Sequence, residues 1–318
     1  MRAVLLTLLT AAALALGAAG CGSDAGTTTT SKPDSGAPDV PLQSANGPVA
    51  PPAATSPLTL ALAGTADPVQ IRFGHQPRAG LLFDLDTGQV LWRKDPTRVL
   101  PIASVTKMMT ALVVADRVPD GSKVRITKQA LAYQGSGVGV LPKNKWVGVS
   151  AMLYGLLLPS GNDAAIALAQ RASGDNTVNS FVRMMNERAS SMGLTCTRYS
   201  TPSGFTDRGN HSCAADLAVE ARAVLDQPRL AKIVRRRSAI LPFPIKGGKL
   251  YLYNHNPLLA QNYPGTLGIK TGFTDAAGRC LVAAVKRNGH RLGVVLLHSP
   301  DPGGQAEKLF DRGFRALG

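Results

Sequence analysis

The chain has 318 residues and 44% of them are hydrophobic, so it can bury the core of one large domain or of two small ones. Residues 1–70 hold two basic and four acidic side chains of the 35 and 20 in the chain, which leaves 33 against 16, a net charge of +17, for residues 71–318. Such a charge attracts polyanions, but the sequence has neither zinc-ligand spacing nor a basic stripe interleaved with aromatic residues. We therefore expect no nucleic-acid partner.

The N-terminus has the features of an export signal over residues 1–20. Met1 and Arg2 precede an apolar run over residues 3–19, which is too short for a stable transmembrane helix. The sequence Gly17-Ala-Ala-Gly-Cys21 resembles a bacterial lipobox, in which Cys21 would be lipidated, and two acyl chains are enough to anchor a protein. We expect an extracytoplasmic, membrane-anchored protein in the periplasm or cell-wall space. The alternative is ordinary cleavage and secretion.

Residues 21–70 are rich in Pro, Thr, Ser and Ala, and this composition predicts a disordered tether. Some 48 such residues reach roughly 35–40 Å as a flexible chain. The predicted body is residues 71–318.

The body alternates between strand and helix patterns. A hairpin over residues 80–93 turns at residues 86–88, a helix starts near Ser104, and a glycine-rich surface loop covers residues 135–139. Further helices are predicted over residues 152–158 (capped by Ser150), 163–172, 177–192, 216–225 and 303–317. A strand pair is predicted over residues 240–253, and single strands over 268–272, 280–286 and 290–298. This order predicts an α+β fold, an antiparallel sheet flanked by helices with a helical insertion between residues 105 and 225.

Ser104 and Lys107 stand three residues apart where the first helix begins, so their side chains should meet on one face. The apolar residues that follow predict a helix buried nearly all round, with Lys107 in the core. A buried lysine tends to lose its proton, and a neutral amine beside a hydroxyl is a general base beside a nucleophile. The alternative is that the pair has no function, because a Ser-x-x-Lys spacing occurs by chance about once in a chain of this length.

Three short motifs follow one another along the body: Ser104-x-x-Lys107, Ser160-Gly-Asn162 and Lys270-Thr-Gly272. In this order they resemble the serine penicillin-binding proteins and β-lactamases. Their flanks, among them Pro101-Ile-Ala-Ser-Val-Thr-Lys107, resemble the low-molecular-mass D-alanyl-D-alanine carboxypeptidases of peptidase family S11. The resemblance covers about residues 72–318. It implies a DD-peptidase/β-lactamase-like fold with a helical subdomain inserted after the nucleophile helix.

The resemblance also implies a role for each motif residue. The expected roles are Ser104 as nucleophile, Lys107 as general base, Ser160 as proton relay, Asn162 as holder of the substrate backbone, Lys270 and Thr271 as carboxylate ligands, Gly272 for close approach of the strand, and the backbone N–H of Phe273 and Ser104 as oxyanion hole. The expected partners are peptidoglycan stem peptides ending in D-Ala-D-Ala and β-lactam antibiotics. We expect no metal, no cofactor and a monomer without a C-terminal β domain.

Three other functions remain open from the sequence. A class A β-lactamase needs a glutamate for deacylation, but Glu187, Glu220 and Glu307 lack the E-x-x-L-N setting of that family. A DD-endopeptidase or a non-catalytic sensor of penicillin or peptidoglycan could use the same groove.

The cysteines outside the lipobox are Cys196, Cys213 and Cys280. We predict a Cys196–Cys213 disulfide, because export permits one and a loop of this size would gain roughly 3 kcal/mol. Cys280 is predicted to be a buried thiol, and a Cys213–Cys280 pairing would contradict this interpretation. The arginines at 235–237 either attract anionic wall polymers or form a solvated charge run.

Overall fold

The computed structural model describes residues 58–64, 66–205 and 209–318. The predicted signal, Cys21 and most of the predicted tether lie outside these residues. The strands are β1 (Ala79–Asp84), β2 (Val90–Lys94), β3 (Leu100–Pro101), β4 (Lys123–Arg125), β5 (Trp146–Gly148), β6 (His211–Ser212), β7 (Ser238–Pro242), β8 (Lys249–Tyr253), β9 (Thr266–Thr274), β10 (Gly278–Arg287) and β11 (His290–Leu297). The α-helices are α1 (Lys107–Arg117), α2 (Lys128–Leu131), α3 (Val149–Leu157), α4 (Asn162–Ser173), α5 (Val178–Ser191), α6 (Ala214–Asp226), α7 (Pro228–Val234), α8 (Pro257–Ala260) and α9 (Pro302–Leu317).

The largest sheet is antiparallel and has five strands in the order β2-β1-β11-β10-β9. Successive residues of a strand point to opposite faces, so Leu81 packs into the core on one side of the sheet and Leu82 into the core on the other. Helix α9 covers the second side with Leu309 and Phe310. Both faces are therefore buried, which confirms the predicted sheet flanked by helices.

Helix α1 lies at the centre of the helical region. Its residues from Lys107 to Val114 are all buried, and α3, α4, α5, α6 and α7 pack around it. A helix that is apolar on all sides is stable only when neighbours cover all of it. The expectation of a helix buried nearly all round is confirmed.

Two local predictions in the helical region were wrong or incomplete. Ser150 does not cap α3, because the helix begins one residue earlier at Val149, after Gly148. Helix α7 was not predicted, although its start is marked in the sequence. The Gln227 side chain accepts a hydrogen bond from the Arg229 N–H, and Pro228 occupies the first turn, where its missing N–H costs nothing.

The predicted tether was wrong at its end. The Asp67 carboxylate forms an ion pair with Arg93 at 2.6 Å, and the Val69 N–H donates to the Leu91 carbonyl at 2.9 Å. Leu58, Leu60 and Leu62 are partly buried against the core, so the chain already belongs to the body before residue 71. Among the described residues, no helix is both long and apolar enough to cross a bilayer.

Candidate active site

Ser104 lies on a short 3₁₀ turn, Ala103–Thr106, that leads into α1. Two glycines let other segments press against this turn. A Cβ on Gly272 of β9 would lie 2.9 Å from the Ile102 carbonyl oxygen, and one on Gly204 would lie 2.0 Å from the Ala103 carbonyl oxygen. The turn is therefore held between β9 and the loop around residue 204 at distances that only glycine permits.

Lys107 is fully buried and touches three oxygen atoms from three parts of the chain. Its Nζ lies 2.7 Å from Ser104 Oγ, 2.7 Å from Asn162 Oδ1 and 2.8 Å from the Ser203 carbonyl oxygen. Burial lowers the pKa of Lys107 well below its usual range, and the nearby Lys270 lowers it further, while Asp163 acts in the opposite direction. The amine therefore favours its neutral form.

Lys270 extends from β9 into the same cleft. Its Nζ donates to Ser160 Oγ at 2.9 Å and to the Thr271 carbonyl at 2.8 Å. Burial lowers its pKa to about 7, so near neutral pH this amine is charged in part of the molecules. Ser160 itself has φ = 65°, a left-handed conformation that is uncommon for a residue other than glycine and that directs its hydroxyl to Lys270.

The glycine-rich loop over residues 135–139 forms one wall of the cleft and is not the plain surface loop that the sequence indicated. The Asn162 N–H donates to the Ser136 carbonyl at 2.8 Å, and its side-chain amide donates to the Gln134 carbonyl. The Asp163 carboxylate accepts from the backbone N–H of Val138 at 2.9 Å. The sequence feature that could have indicated this contact is Asp163, a carboxylate directly after the Ser-x-Asn motif.

The predicted site residues come together around one cavity of about 490 Å³. Ser104, Ser160, Thr271, Gly272 and Phe273 line it directly. Behind them, Lys107 contacts Ser104, Lys270 contacts Ser160, and Asn162 contacts Lys107. The Phe273 side chain is 62% exposed at the rim.

His255, Gln261 and Arg279 also line the cavity, and none of them belongs to a motif that could be recognised in the sequence. The pKa of His255 is lowered by partial burial and by Lys270.

The structure contains the predicted disulfide between Cys196 and Cys213. The loop that it closes carries Pro202, whose carbonyl accepts from Thr110 Oγ1 at 2.6 Å, and Ser203, whose carbonyl accepts from Lys107. Cys280 is buried in β10 and is not part of the disulfide.

Among the described residues, one group of Cys, His, Asp or Glu side chains is close enough to hold a metal ion, namely Cys196, Cys213 and Asp216. Two of its three members are joined as the disulfide, and Asp216 accepts from the Cys196 N–H at 2.7 Å, so the ligand atoms are already engaged.

Solved structures with the same fold define the class of protein. The K15 DD-transpeptidase of Streptomyces superposes with a TM-score of 0.72 at 30% identity, over 77% of this chain and all of its own. A D-alanyl-D-alanine carboxypeptidase of Mycobacterium tuberculosis gives 0.71 at 34% identity, over 82% of this chain and 96% of its own. The fold is that of the DD-peptidases and penicillin-binding proteins.

Sequence comparison narrows the class to one family. The family described as D-alanyl-D-alanine carboxypeptidase, Peptidase S11, matches residues 66–301. DacB2 of M. tuberculosis is 38% identical over 242 residues, and DacF of Bacillus subtilis is 33% identical over 248 residues. The chain belongs to the S11 D-alanyl-D-alanine carboxypeptidase family. Its matched part is 74% of this chain and 81% of DacB2, and 76% of this chain but only 62% of DacF.

Proposed function

We propose that this protein is a serine-type D-Ala-D-Ala carboxypeptidase that removes the terminal D-alanine from peptidoglycan stem peptides through an acyl-enzyme on Ser104. The observation that carries the proposal is the set of partners around Lys107 Nζ. A neutral amine has two N–H groups and one lone pair. The oxygens of Asn162 and Ser203 can only accept, and they lie 2.7 and 2.8 Å away. With both N–H groups so engaged, the lone pair faces the Ser104 hydroxyl.

Acylation follows from this arrangement. Ser104 Oγ attacks the carbonyl carbon between the two terminal D-alanines while its proton moves to Lys107 Nζ, 2.7 Å away. The negative charge that develops on the carbonyl oxygen is stabilised by the backbone N–H groups of Ser104 and Phe273. The tetrahedral intermediate collapses as the C–N bond breaks. D-alanine leaves with the proton that Lys107 had taken, passed on through the Ser160 hydroxyl, so that Lys107 is neutral again and an ester on Ser104 remains.

The substrate is positioned by the other half of the site. Lys270, as a cation, and the Thr271 hydroxyl bind the terminal carboxylate, because charge-assisted hydrogen bonds are the strongest that a carboxylate accepts. The Asn162 oxygen is engaged with Lys107 and one amide N–H with the Gln134 carbonyl, which leaves a second N–H to donate to the peptide backbone. Peptides without a free terminal carboxylate should therefore react slowly.

Water then hydrolyses the ester on Ser104. A β-lactam would acylate the same serine, but no glutamate of the described residues lines the cleft to activate water in the way of a class A β-lactamase. The penicillin adduct should therefore persist, and the protein is inhibited.

The test uses a diacyl-lysyl-D-Ala-D-Ala peptide and a fluorescent penicillin. Wild type should release D-alanine and keep the penicillin label on Ser104, and Ser104→Ala should do neither. Ser136→Ala is the matched control, because this serine also lines the cleft but its hydroxyl has no proposed role. Label without D-alanine release would indicate a sensor. Rapid loss of the label would indicate a β-lactamase, and preferential cleavage of cross-linked dimers an endopeptidase.

We also propose that the chain is exported, lipidated on Cys21 and monomeric. The apolar run of residues 3–19 and the lipobox-like Gly17-Ala-Ala-Gly-Cys21 support this location. Wild type expressed with labelled palmitate should incorporate the label and sediment with membranes, and Cys21→Ser should lose the label. Secretion of unlabelled wild type into the medium would contradict lipidation. Light scattering measures the oligomeric state.

A further inference from the structure

The hairpin of β7 and β8 presents an apolar face to solvent. In the antiparallel register Ile240 pairs with Tyr251 and Ser238 with Tyr253, so all four share one side. Ile240, Tyr251 and Tyr253 are 61%, 55% and 66% exposed. The alternate residues turn inward, with Leu250 and Leu252 in the core. We call the outward side, with Pro242 at its end, the hairpin face.

The hairpin face lies within the most basic part of the sequence. From residue 227 to residue 274 the chain has no aspartate and no glutamate. Five exposed cations lie on or beside the two strands, and none of them forms an ion pair with a described residue: Arg235, Arg236, Arg237, Lys246 and Lys249, the last of which pairs with Pro242 on the hairpin face itself. Apolar side chains exposed together in this way usually mark an interaction site, and the surrounding charge indicates an anionic partner.

We propose that the hairpin face docks onto the surface of an anionic phospholipid membrane. Tyrosine is favoured at the headgroup level, where its ring meets acyl chains and its hydroxyl meets water. Ile240 lies directly opposite Tyr251 and Pro242 opposite Lys249, so these two apolar side chains share the face of the tyrosine rings and would leave water together with them. Basic residues near an anionic leaflet contribute about 1 kcal/mol each, so the surrounding arginines and lysines add to the apolar contact.

Two other occupants fit the face less well. A second copy of the chain would bring the five cations of one hairpin against those of another, and like charges across an interface oppose association. An anionic wall glycan would pair with the cations but would leave the hydrocarbon of Ile240 without an apolar partner. A membrane surface satisfies both the charge and the apolar groups.

Docking would also orient the cleft. Strand β8 ends at Tyr253, and His255, two residues further on, lines the catalytic cavity. Two extended residues span about 7 Å, so the rim of the cleft would lie close to the lipid headgroups.

The test measures hydrogen exchange along the full chain with and without vesicles, so that protection of the hairpin is separated from any contribution of the N-terminus. With vesicles half phosphatidylglycerol and half phosphatidylcholine, exchange over residues 238–253 should slow at least about two-fold, and pure phosphatidylcholine should have little effect. The variant Ile240→Ser/Tyr251→Ser/Tyr253→Ser should lose the protection. The control Val99→Ser/Val140→Ser/Trp146→Ser removes side chains of similar exposure elsewhere and should keep it.

A second variant tests the charges. Arg235→Gln/Arg236→Gln/Arg237→Gln should weaken vesicle binding at least about ten-fold and reduce its dependence on salt. All hairpin variants should release D-alanine from a soluble peptide at the wild-type rate, which separates this proposal from the proposed function. Equal hairpin protection in wild type and the serine variant would overturn the proposal. The proposal would also be overturned if soluble peptidoglycan fragments, but not vesicles, protected the hairpin from exchange. Protection that depended on self-association of the chain with concentration would overturn it as well.

Discussion

The two buried lysines of the cleft, Lys107 and Lys270, are held in different ways. Lys107 contacts oxygens from α4, from the disulfide-closed loop and from the turn before α1, whereas Lys270 contacts Ser160 and the carbonyl of its own neighbour Thr271. Burial lowers the pKa of both, and the charge on Lys270 lowers the pKa of Lys107 further.

This difference shows how one apolar pocket can provide both a base and an anion receptor. Because two like charges close together disfavour each other, the charge on Lys270 helps to keep Lys107 neutral. Removing either amine should therefore change the behaviour of the other.

Lys107→Ala removes the proposed base and should lower the second-order rate of acylation by penicillin about 10²–10⁴-fold, the usual contribution of general-base catalysis. Stopped-flow labelling with fluorescent penicillin measures the rate, and circular dichroism checks the fold. Lys270→Ala is the companion variant and should retain more of this rate. A loss below about ten-fold for Lys107→Ala would assign the base to another group.

Lys270→Gln should lower kcat/KM for the D-Ala-D-Ala peptide about 10²-fold at pH 7, because a charge-assisted contact to the carboxylate is lost. Lys107 is active when neutral, so activity rises as pH increases through its pKa. Without the nearby cation that pKa is higher, and the acidic limb of kcat/KM against pH should move to higher pH. An unmoved acidic limb would show that the two amines are not coupled.

Lys270→Arg separates the two roles of Lys270. In the free wild-type protein its pKa of about 7 means that the binding cation is lost as pH rises above neutrality, so kcat/KM should fall there. Arginine stays charged, and the fall should move to higher pH.

Cys196→Ser/Cys213→Ser should affect the position of Lys107 but not that of Lys270, because the loop that the disulfide closes carries the Ser203 carbonyl that Lys107 contacts. The free energy of unfolding should fall by about 3 kcal/mol, and acylation should slow because one oxygen that holds the amine is less fixed. Denaturant titration measures the first effect. Reductant should reproduce both effects in wild type and change nothing in the double variant; an unchanged acylation rate would mean that the loop does not position Lys107.

Glu220→Gln has the smallest expected effect on activity, because Glu220 lies outside the cleft. Glu220 is buried in α6, where it accepts from the Tyr199 hydroxyl at 2.9 Å, and burial raises its pKa to about 8 from 4.5. A raised folded-state pKa gives stability that is complete below pH 4.5 and is lost as pH rises through 8. Glutamine cannot ionise, so between pH 5 and pH 9 the free energy of unfolding of the variant should fall by up to about 4 kcal/mol less than that of wild type, and its Tm should fall less over the same range. Parallel Tm curves would contradict the buried titration.

The sequence predicted the side-chain part of the site better than its backbone part. Ser104 and Lys107 could be identified from their spacing at a helix start, and Ser160 and Lys270 from the family that the three ordered motifs resemble. The carbonyls of Ser203, Gln134 and Ser136 could not, since every residue has a carbonyl and only the fold decides where it points.

The elements show the same distinction. The hairpin of β10 and β11 was predicted from Asn288-Gly289, because few residues adopt that turn. The packing of residues 58–64 and 66–70 was not, since the Pro/Thr/Ser/Ala-rich composition indicated disorder although Leu58, Leu60 and Leu62 alternate there. Helix α7 was missed because a seven-residue helix has too few turns to show a period.

The sheet joins distant parts of the chain. Strand β1 pairs along its whole length with β11, so that Ala79 faces Leu297 and Asp84 faces Leu292. Since β1 lies inside the sheet, between β2 and β11, its inner edge has no partner until the last strand has been made. A ribosome or a translocation channel that releases the chain from its N-terminus would therefore deliver nearly all of it before the sheet can close, and a chain that stops short of β11 should be recognised as unfolded and degraded.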